Sequence, residues 1–121
     1  MKTTRITLIN ELENIKHLSY GWENGEYGEP INESIIEDAY RILNDIHDEY
    51  LPNTIIPTSP GGIVFSWIHG NTNFSLELHP GTGCSLHKVN TKNGNHLGEQ
   101  FDNIPHDIVK KIVFWLDLSI Q

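Results

Sequence analysis

Residues 63–78 read IVFSWIHGNTNFSLEL, and this stretch decides the fold class of the chain. In each half, apolar side chains occupy every second position, which is the pattern of a strand with one buried face. These side chains are Ile63, Phe65 and Trp67 in the first half and Phe74, Leu76 and Leu78 in the second. Between the halves lies Gly70-Asn71, a pair that favours a tight hairpin turn. The stretch therefore predicts two antiparallel strands.

Two further turns continue this hairpin toward the C-terminus. Residues 80–83 read PGTG and residues 93–95 read NGN, and both runs are rich in residues that favour turns. A third strand is predicted from Cys84 to Val89, and a short fourth strand from Leu97 to Phe101. The middle of the chain is therefore predicted to be a three- to four-stranded antiparallel meander.

On both sides of the meander, apolar residues follow the spacing of helices. The first predicted helix ends at Gly21, and its apolar side chains are Leu8, Leu12, Ile15 and Leu18. The second has Asn32 as its N-cap and Pro52 as its end, and its predicted buried side chains are Ile35, Ile36, Ala39, Leu43, Ile46 and Tyr50. The third begins at Pro105, and its apolar side chains are Ile108, Val109, Ile112, Val113, Leu116 and Ile120.

These elements predict a single domain over residues 1–121. Its class is α+β, with two N-terminal helices, the antiparallel meander and a C-terminal helix. The helices are expected to pack on one face of the sheet, because each has one apolar stripe to bury.

The negative charge of the chain is concentrated in its first part. Residues 1–50 contain eleven acidic and four basic residues, a net charge of −7, whereas residues 51–121 contain five acidic and four basic residues, a net charge of −1. Nucleic acid is disfavoured as a direct partner because no basic patch is available to neutralise phosphates. A partner with a basic surface is favoured, since opposite charges accelerate association.

Cysteine usage and hydropathy predict the compartment. The single cysteine, Cys84, excludes an internal disulfide and favours a reducing environment. The N-terminal residues lack the apolar core of a signal peptide, and no run approaches the roughly 18 apolar residues of a membrane span. We therefore expect a cytoplasmic protein without a membrane partner.

Acidic and aromatic residues occur together before and within the second helix, and we expect Trp22 to fold back onto the domain. The candidate partner-binding residues are Trp22, Glu23, Glu26, Tyr27, Glu29, Glu33 and Glu37. Aromatic side chains supply binding energy, and carboxylates raise the rate of association with a basic protein.

The leading functional hypothesis is a non-enzymatic acidic protein that inhibits or sequesters a basic protein partner, such as a nuclease or another nucleic-acid-binding protein. Immunity proteins, antitoxins and phage-encoded inhibitors of nucleic-acid-targeting defence enzymes all have this size and charge. The competing interpretation is an acidic surface that only keeps the protein monomeric.

The histidines suggest an alternative, a small metal-binding protein or metal-dependent enzyme. His79, Cys84 and His87 form the spacing H-x4-C-x2-H across a predicted turn, and imidazole and thiolate groups are zinc ligands. On an alternating strand, however, Cys84 and His87 point to opposite faces. Surface histidines and a small buried thiol are the competing interpretation, and we expect no cofactor.

Nucleophilic catalysis requires Cys84 or a serine beside a histidine base and an oriented carboxylate. Cys84, His79, His87 and Glu77 lie close together in the sequence. The chain has no nucleophile-elbow motif, and no predicted helix begins at Cys84 to activate its thiol. The sequence therefore predicts that the protein is not an enzyme.

The third helix is apolar around more than one face, because Phe114, Trp115 and Leu118 widen its stripe. Either this helix is deeply buried, or part of it contacts another chain. The second alternative predicts an oligomer formed through the C-terminal helix.

A loop reads GWENG at residues 21–25 and is followed by Gly28 and Pro30, and a second segment reads PTSPGGIVFSW at residues 57–67. Together with the spacing of Leu12, Ile15 and Leu18 and the strand FSLEL at residues 74–78, these segments resemble a family of short bacterial proteins over roughly residues 8–78. The loop departs from the family pattern in having Glu23 where an aspartate is usual and in an insertion before Pro30. The resemblance implies a shared fold, and it carries no catalytic residue or known activity to this chain.

Overall fold

The structure, a computed structural model, describes residues 4–25 and 27–120. Within these residues the helices are α1 (Arg5–Lys16), α2 (Glu33–Asp45) and α3 (Ile108–Ile120), and a 3-10 turn spans Asp48–Tyr50. The strands are β1 (Thr54–Pro57), β2 (Ile63–His69), β3 (Thr72–His79), β4 (Gly83–Asn90) and β5 (His96–Phe101). The predicted α+β class is confirmed.

The strands form one antiparallel sheet in chain order, β1-β2-β3-β4-β5. The sequence predicts three to four strands, and β1 is the strand that it misses. Thr54–Pro57 contains only four residues and ends in a proline, which is unfavourable within a strand except at an edge. In the structure β1 does lie at an edge, where Ile55 pairs with Phe65 of β2.

One face of the sheet, here called the inner face, packs against the helices. Its buried side chains are Ile55, Ile63, Phe65, Trp67, Phe74, Leu76, Leu78, Cys84 and Leu86. The Phe74 ring lies 5.2 Å from the Trp67 ring and 5.6 Å from the Trp115 ring of α3, measured between centroids. Because each large apolar side chain stabilises the fold by roughly 1.5–3 kcal/mol when buried, this face forms the centre of the core.

α1 packs against α2 and against β1, and α2 also contacts α3. Their buried side chains are Leu8, Leu12 and Ile15 in α1 and Ile35, Ile36, Ala39, Ile42 and Leu43 in α2. Ile42 is absent from the predicted stripe, and Tyr50 lies outside α2 in the 3-10 turn. Asn32 is the N-cap of α2, as predicted, since its Oδ1 accepts a hydrogen bond from the backbone N–H of Ser34 at 2.9 Å.

α2 ends at Asp45, not at Pro52 as the sequence predicts. The guanidinium group of Arg5 donates to the backbone carbonyl of Leu43 and, at 2.6 Å, to that of Ile46. These are carbonyl groups that a longer helix would use for its own hydrogen bonds. A side chain from α1 therefore takes the place of the next helical turn.

α1 also ends earlier than predicted, at Lys16 and not at Gly21. The backbone N–H groups of residues 17 and 18 bond to carbonyl groups three residues back, at 3.2 Å each, so the last turn tightens and stops. Gly21 lies beyond this turn, in the following loop.

α3 begins at Ile108, three residues after the predicted start at Pro105. The Pro105 carbonyl accepts a hydrogen bond from the Ile108 N–H at 3.2 Å, which places the proline in a turn ahead of the helix. In the described ranges 4–25 and 27–120, no helix has both the length and the apolar composition to cross a membrane.

The opposite face of the sheet, here called the outer face, gathers polar side chains. Glu77 pairs across the strands with Ser85, and His87 pairs with Gly98, so these positions share one face. They alternate with the buried residues of β3 and β4, as the pleat of a strand requires. Side chains far apart in the chain meet on this face.

Candidate functional site

The sequence-predicted binding residues lie in the loop before α2 and in its first two turns; residues 22–37 are here called the acidic segment. Trp22 is half-buried and packs against the core, as predicted. The side chains exposed to solvent are Glu23, Tyr27, Glu29, Glu33 and Glu37. Glu26 lies outside the described residues.

Trp22 holds the loop of the acidic segment together. Its Nε1 donates a hydrogen bond to the backbone carbonyl of Glu29 at 2.7 Å. Gly28 has a φ of +112°, and a side-chain carbon at this position would lie 2.9 Å from the indole ring. The indole therefore packs on a backbone position that accepts only glycine.

The loop is attached to the segment between β1 and β2. The Glu29 N–H donates to the Ser59 carbonyl at 2.8 Å, and the Asn32 N–H donates to the Gly61 carbonyl at 3.1 Å. The Ser59 hydroxyl donates to the Glu23 carboxylate. The loop and residues 57–67, for which the sequence predicts a family resemblance, therefore contact each other, and their contacts fix where the acidic segment begins.

The carboxylates of Glu29, Glu33 and Glu37 have neither a hydrogen bond nor an ion pair to any residue that the structure describes. Glu33 and Glu37 lie one turn apart on α2, where like charges destabilise a helix by roughly 0.2–0.5 kcal/mol. Tyr27, which precedes them, is 62% exposed. The segment therefore presents negative charge without counterions beside an exposed aromatic ring.

Two neighbours of this surface have internal partners instead. Asp38 pairs with Arg41 at 3.3 Å. Tyr40 is half-buried, and its hydroxyl donates a hydrogen bond to the Glu13 carboxylate of α1. Burial, followed by the effect of this carboxylate, raises the pKa of Tyr40 to about 12. Tyr40 thus connects α1 to α2 and is not an exposed aromatic group of the acidic segment.

A chain of polar contacts runs across the outer face of the sheet, through Glu77, His79, Ser85, His87 and His96, here called the polar row. His79 Nδ1 lies 3.2 Å from Glu77 Oε2, and His79 Nε2 lies 2.9 Å from Ser85 Oγ. His87 Nε2 lies 3.1 Å from the same Oγ, and His87 Nδ1 lies 3.2 Å from His96 Nε2.

Ser85 is the centre of the polar row. It is 4% exposed and is the buried polar residue of the described chain. It lies at a groove of about 460 Å³ that is also lined by His79, Thr82, His87, Gly98 and Gln100. Gly98 gives the His87 ring its space, since a side-chain carbon there would lie 3.2 Å from Nδ1.

The metal ligands proposed from the sequence do not converge. Cys84 is fully buried on the inner face, whereas His79 and His87 lie on the outer face, as the alternation of β4 predicts. Burial, followed by the charge of Asp38, raises the pKa of the Cys84 thiol to about 11. Across residues 4–25 and 27–120, no group of three His, Cys, Asp or Glu side chains has the geometry to hold a metal ion.

Sequence reasoning missed Ser85 and His96 as members of a site. The place of Ser85 could have been inferred from the length of the turn at residues 80–83, because that length sets which residues of β3 and β4 face each other. A hairpin closed at Gly83 places Ser85 opposite Glu77 and diagonal to His79. The position of His96 relative to this site depends on a second register, that between β4 and β5, and is therefore harder to predict.

α3 exposes part of its apolar surface. Phe114 is 61% exposed, while Trp115 is half-buried and packs against Phe74. The side chain of Leu118 lies outside the described residues. An oligomer formed through this helix stays a prediction.

Comparison with known proteins gives no relative: no family model matches the chain, and neither the curated proteins nor the solved structures contain a significant match. The resemblance in the loop and in residues 57–67 therefore stays a prediction.

Proposed function

We propose that this protein binds a basic protein partner through the acidic segment, and that it inhibits or sequesters that partner in the cytoplasm. The observation that supports the proposal is the set of exposed carboxylates without counterions at Glu29, Glu33 and Glu37. They follow a loop that Trp22 and Gly28 hold in place. A pre-formed surface loses less conformational entropy on binding than a disordered one does.

A basic partner would supply the counterions that the acidic segment lacks. Neutralising the repulsion between Glu33 and Glu37 favours the complex over the free protein. The exposed ring of Tyr27 adds apolar contact area. Tyrosine is also enriched among the residues that dominate binding energy.

The class of partner follows from this chemistry. Proteins that bind nucleic acid have channels lined with Lys and Arg, and carboxylates on a rigid surface can take the place of phosphates there. We therefore propose a nuclease or another nucleic-acid-binding protein as the target. Immunity protein, antitoxin and phage-encoded inhibitor are the roles in which such binding is useful.

The test compares two triple variants with the same change in net charge. The first variant is Glu29→Gln, Glu33→Gln, Glu37→Gln, in the acidic segment. The control is Glu11→Gln, Asp45→Asn, Glu49→Gln, which removes three exposed carboxylates elsewhere on the N-terminal half. Each protein is immobilised and exposed to host lysate at about 50 mM and about 300 mM NaCl, because salt screens such contacts. Bound proteins are identified by mass spectrometry.

We expect the wild-type protein and the control to retain the same basic protein at low salt and to release it at the higher salt. The acidic-segment variant should bind it several-fold more weakly and with a flatter salt dependence. Equal affinity in the wild type and the acidic-segment variant would contradict the proposal, as would equal weakening by both variants.

A further inference from the structure

We propose that Ser85 is a nucleophile, that His79 is its general base, and that Glu77 positions His79. The hydroxyl and the imidazole nitrogen are 2.9 Å apart, and the other nitrogen of that imidazole is 3.2 Å from the carboxylate. These are the two contacts that define a serine nucleophile with an oriented base. This activity is additional to partner binding, since the polar row lies on the outer face of the sheet and the acidic segment does not.

The contacts of the polar row fix the direction of its hydrogen bonds when Glu77 is ionised and the imidazoles are neutral. A carboxylate only accepts, so His79 donates from Nδ1 and its Nε2 is left as an acceptor. Ser85 therefore donates to His79 and accepts from His87 Nε2. His87 Nδ1 then accepts from His96. The Ser85 proton points at the neighbour that can remove it.

Glu77 favours proton transfer from Ser85 to His79, because its carboxylate stabilises the imidazolium that forms. Ser85 is 4% exposed and lies between the imidazoles of His79 and His87. The groove of about 460 Å³ still gives a small molecule access to this position.

The chemistry that this arrangement can perform is acyl transfer from an ester. Ser85 Oγ forms a bond to the carbonyl carbon while its proton passes to His79 Nε2. The bond between that carbon and the alcohol oxygen then breaks, and the alcohol leaves with the proton from His79. Water hydrolyses the acyl-serine by the same two steps, which returns the proton to Ser85. The N–H of His87 donates to Ser85 Oγ, the attacking oxygen, with Nε2 at 3.1 Å.

The groove defines the substrate class as short esters without negative charge. Its volume lies within the roughly 300–1,000 Å³ of small-molecule sites. Its polar lining includes Thr82 and Gln100. The Glu77 carboxylate beside His79 repels anions, so an uncharged acyl group is favoured.

The first test uses an alkyl fluorophosphonate, which reports a serine nucleophile without knowledge of the substrate. Ser85 Oγ forms a bond to phosphorus, fluoride leaves, and the serine proton passes through His79 to solvent. We expect one adduct per chain by intact-mass spectrometry, assigned to Ser85 by peptide mapping. The His79→Gln variant should react about 100-fold more slowly, which is the lower range of a general base's contribution.

The matched control is Ser75→Ala. Ser75 precedes Glu77 by two residues in β3, so both side chains lie on the outer face. In the described part of the chain, Ser75 makes no hydrogen bond to a histidine. Its variant should react as the wild type does, whereas Ser85→Ala should not react. The proposal is overturned if the wild type stays unlabelled under conditions that fully label a serine protease, or if the adduct maps to another residue. Peptide mapping of the wild type decides this even if a variant fails to fold.

The positioning role of Glu77 has a separate readout in the imidazole tautomers. Two-dimensional ¹H–¹⁵N spectra of the side chains should show the proton of His79 on Nδ1 and that of His87 on Nε2. The Glu77→Gln variant should shift His79 toward the Nε2–H tautomer and slow fluorophosphonate labelling, with the far-UV circular dichroism unchanged. An Nε2–H tautomer of His79 in the wild-type protein would overturn the proposed role.

Discussion

Cys84 and Ser85 are adjacent in β4, and the pleat of the strand gives them opposite surroundings. Cys84 lies among apolar side chains on the inner face, where its raised pKa keeps the thiol neutral at physiological pH. A neutral, enclosed thiol is a poor nucleophile and a poor metal ligand. Ser85 lies between two imidazoles on the outer face. The reactive side chain of β4 is therefore the serine, by our proposal.

The raised pKa of Cys84 predicts a loss of stability in alkaline solution. The thiol titrates at 9.0 in the unfolded chain and at about 11 in the folded protein, so the folded state holds this proton more tightly. This contribution to stability is fully present below pH 9 and is lost as the pH rises through the folded-state pKa. Urea unfolding should give a lower free energy of unfolding at about pH 10.5 than at about pH 8.

Cys84→Ala is the variant that isolates this effect. Tyr40, whose pKa is also raised, is present in both proteins and titrates in both. The decrease between the two pH values should therefore be smaller in the variant than in the wild type. A decrease of the same size in both proteins would show that the thiol does not contribute.

At the scale of single residues, the sequence predicts burial better than it predicts reactivity. The alternation of β3 and β4 is sufficient to assign Cys84 to one face and His87 to the other. The contact between His79 and Ser85 depends on the register of a hairpin, and an error of one residue would place the serine inside the core. Reactivity therefore requires the structure, whereas burial follows from the periodicity.

Arg5 joins two helices, because it lies in the first turn of α1 and caps the C-terminus of α2. The last turn of α2 contains no basic residue of its own. The guanidinium group bonds to the carbonyls of Leu43 and Ile46 and lies 2.8 Å from the carboxylate of Asp48. A positive charge at this end of a helix also interacts favourably with the helix dipole.

Replacing Arg5 by lysine is expected to lower the free energy of unfolding by about 1–2 kcal/mol, because an ammonium group cannot reach both carbonyls in the way a planar guanidinium does. Asp48→Asn is the matched control. The Asp48 side chain is 85% exposed, so its ion pair should contribute less than about 1 kcal/mol. Urea denaturation of both variants at neutral pH measures the two losses. Equal losses in the two variants would assign the effect to the ion pair and not to the carbonyl bonds.

At the scale of elements, the sequence predicts that each helix exists but not where it ends. The apolar spacing of α1 and α2 is local information, and it is sufficient to identify both helices. The end of α2 is set by Arg5, which lies in another element. The same holds for β1, which is recognisable as a strand only through its pairing with β2.

Over the whole molecule, negative charge is concentrated where α1 and α2 pack together. Residues 1–50 carry a net charge of −7 of the total of −8. At about 10 mM salt such charges interact over roughly 30 Å, and at about 0.1 M over roughly 10 Å. Repulsion within this half therefore destabilises the folded protein at low ionic strength.

This asymmetry predicts that moderate salt stabilises the protein. The midpoint of thermal unfolding should rise between about 10 mM and about 150 mM NaCl, because screening reduces the repulsion. The variant Glu11→Gln, Asp45→Asn, Glu49→Gln has a net charge of −5, from −8 plus three, and should gain less. Differential scanning calorimetry measures both midpoints. A midpoint that falls with salt in the wild type would show that favourable ion pairs dominate instead.

At this scale the sequence predicts the class of the fold and the distribution of charge, since both depend on composition and periodicity. It does not predict a compact site, because such a site needs three strands in the correct register. The acidic segment is partly predictable from the sequence. Its residues are consecutive in the chain and could be named in advance, but the anchoring of Trp22 by Gly28 could not.

The order of the strands also has a consequence for synthesis on the ribosome. Each strand pairs with its neighbours in the chain, so the sheet can grow hairpin by hairpin while translation proceeds from the N-terminus. Phe74 can pack on Trp67 as soon as β2 and β3 pair, but its second aromatic neighbour, Trp115, is synthesised much later, in α3. A nascent chain that has not yet released α3 from the exit tunnel therefore presents an uncovered aromatic surface, which is the kind of surface that chaperones bind.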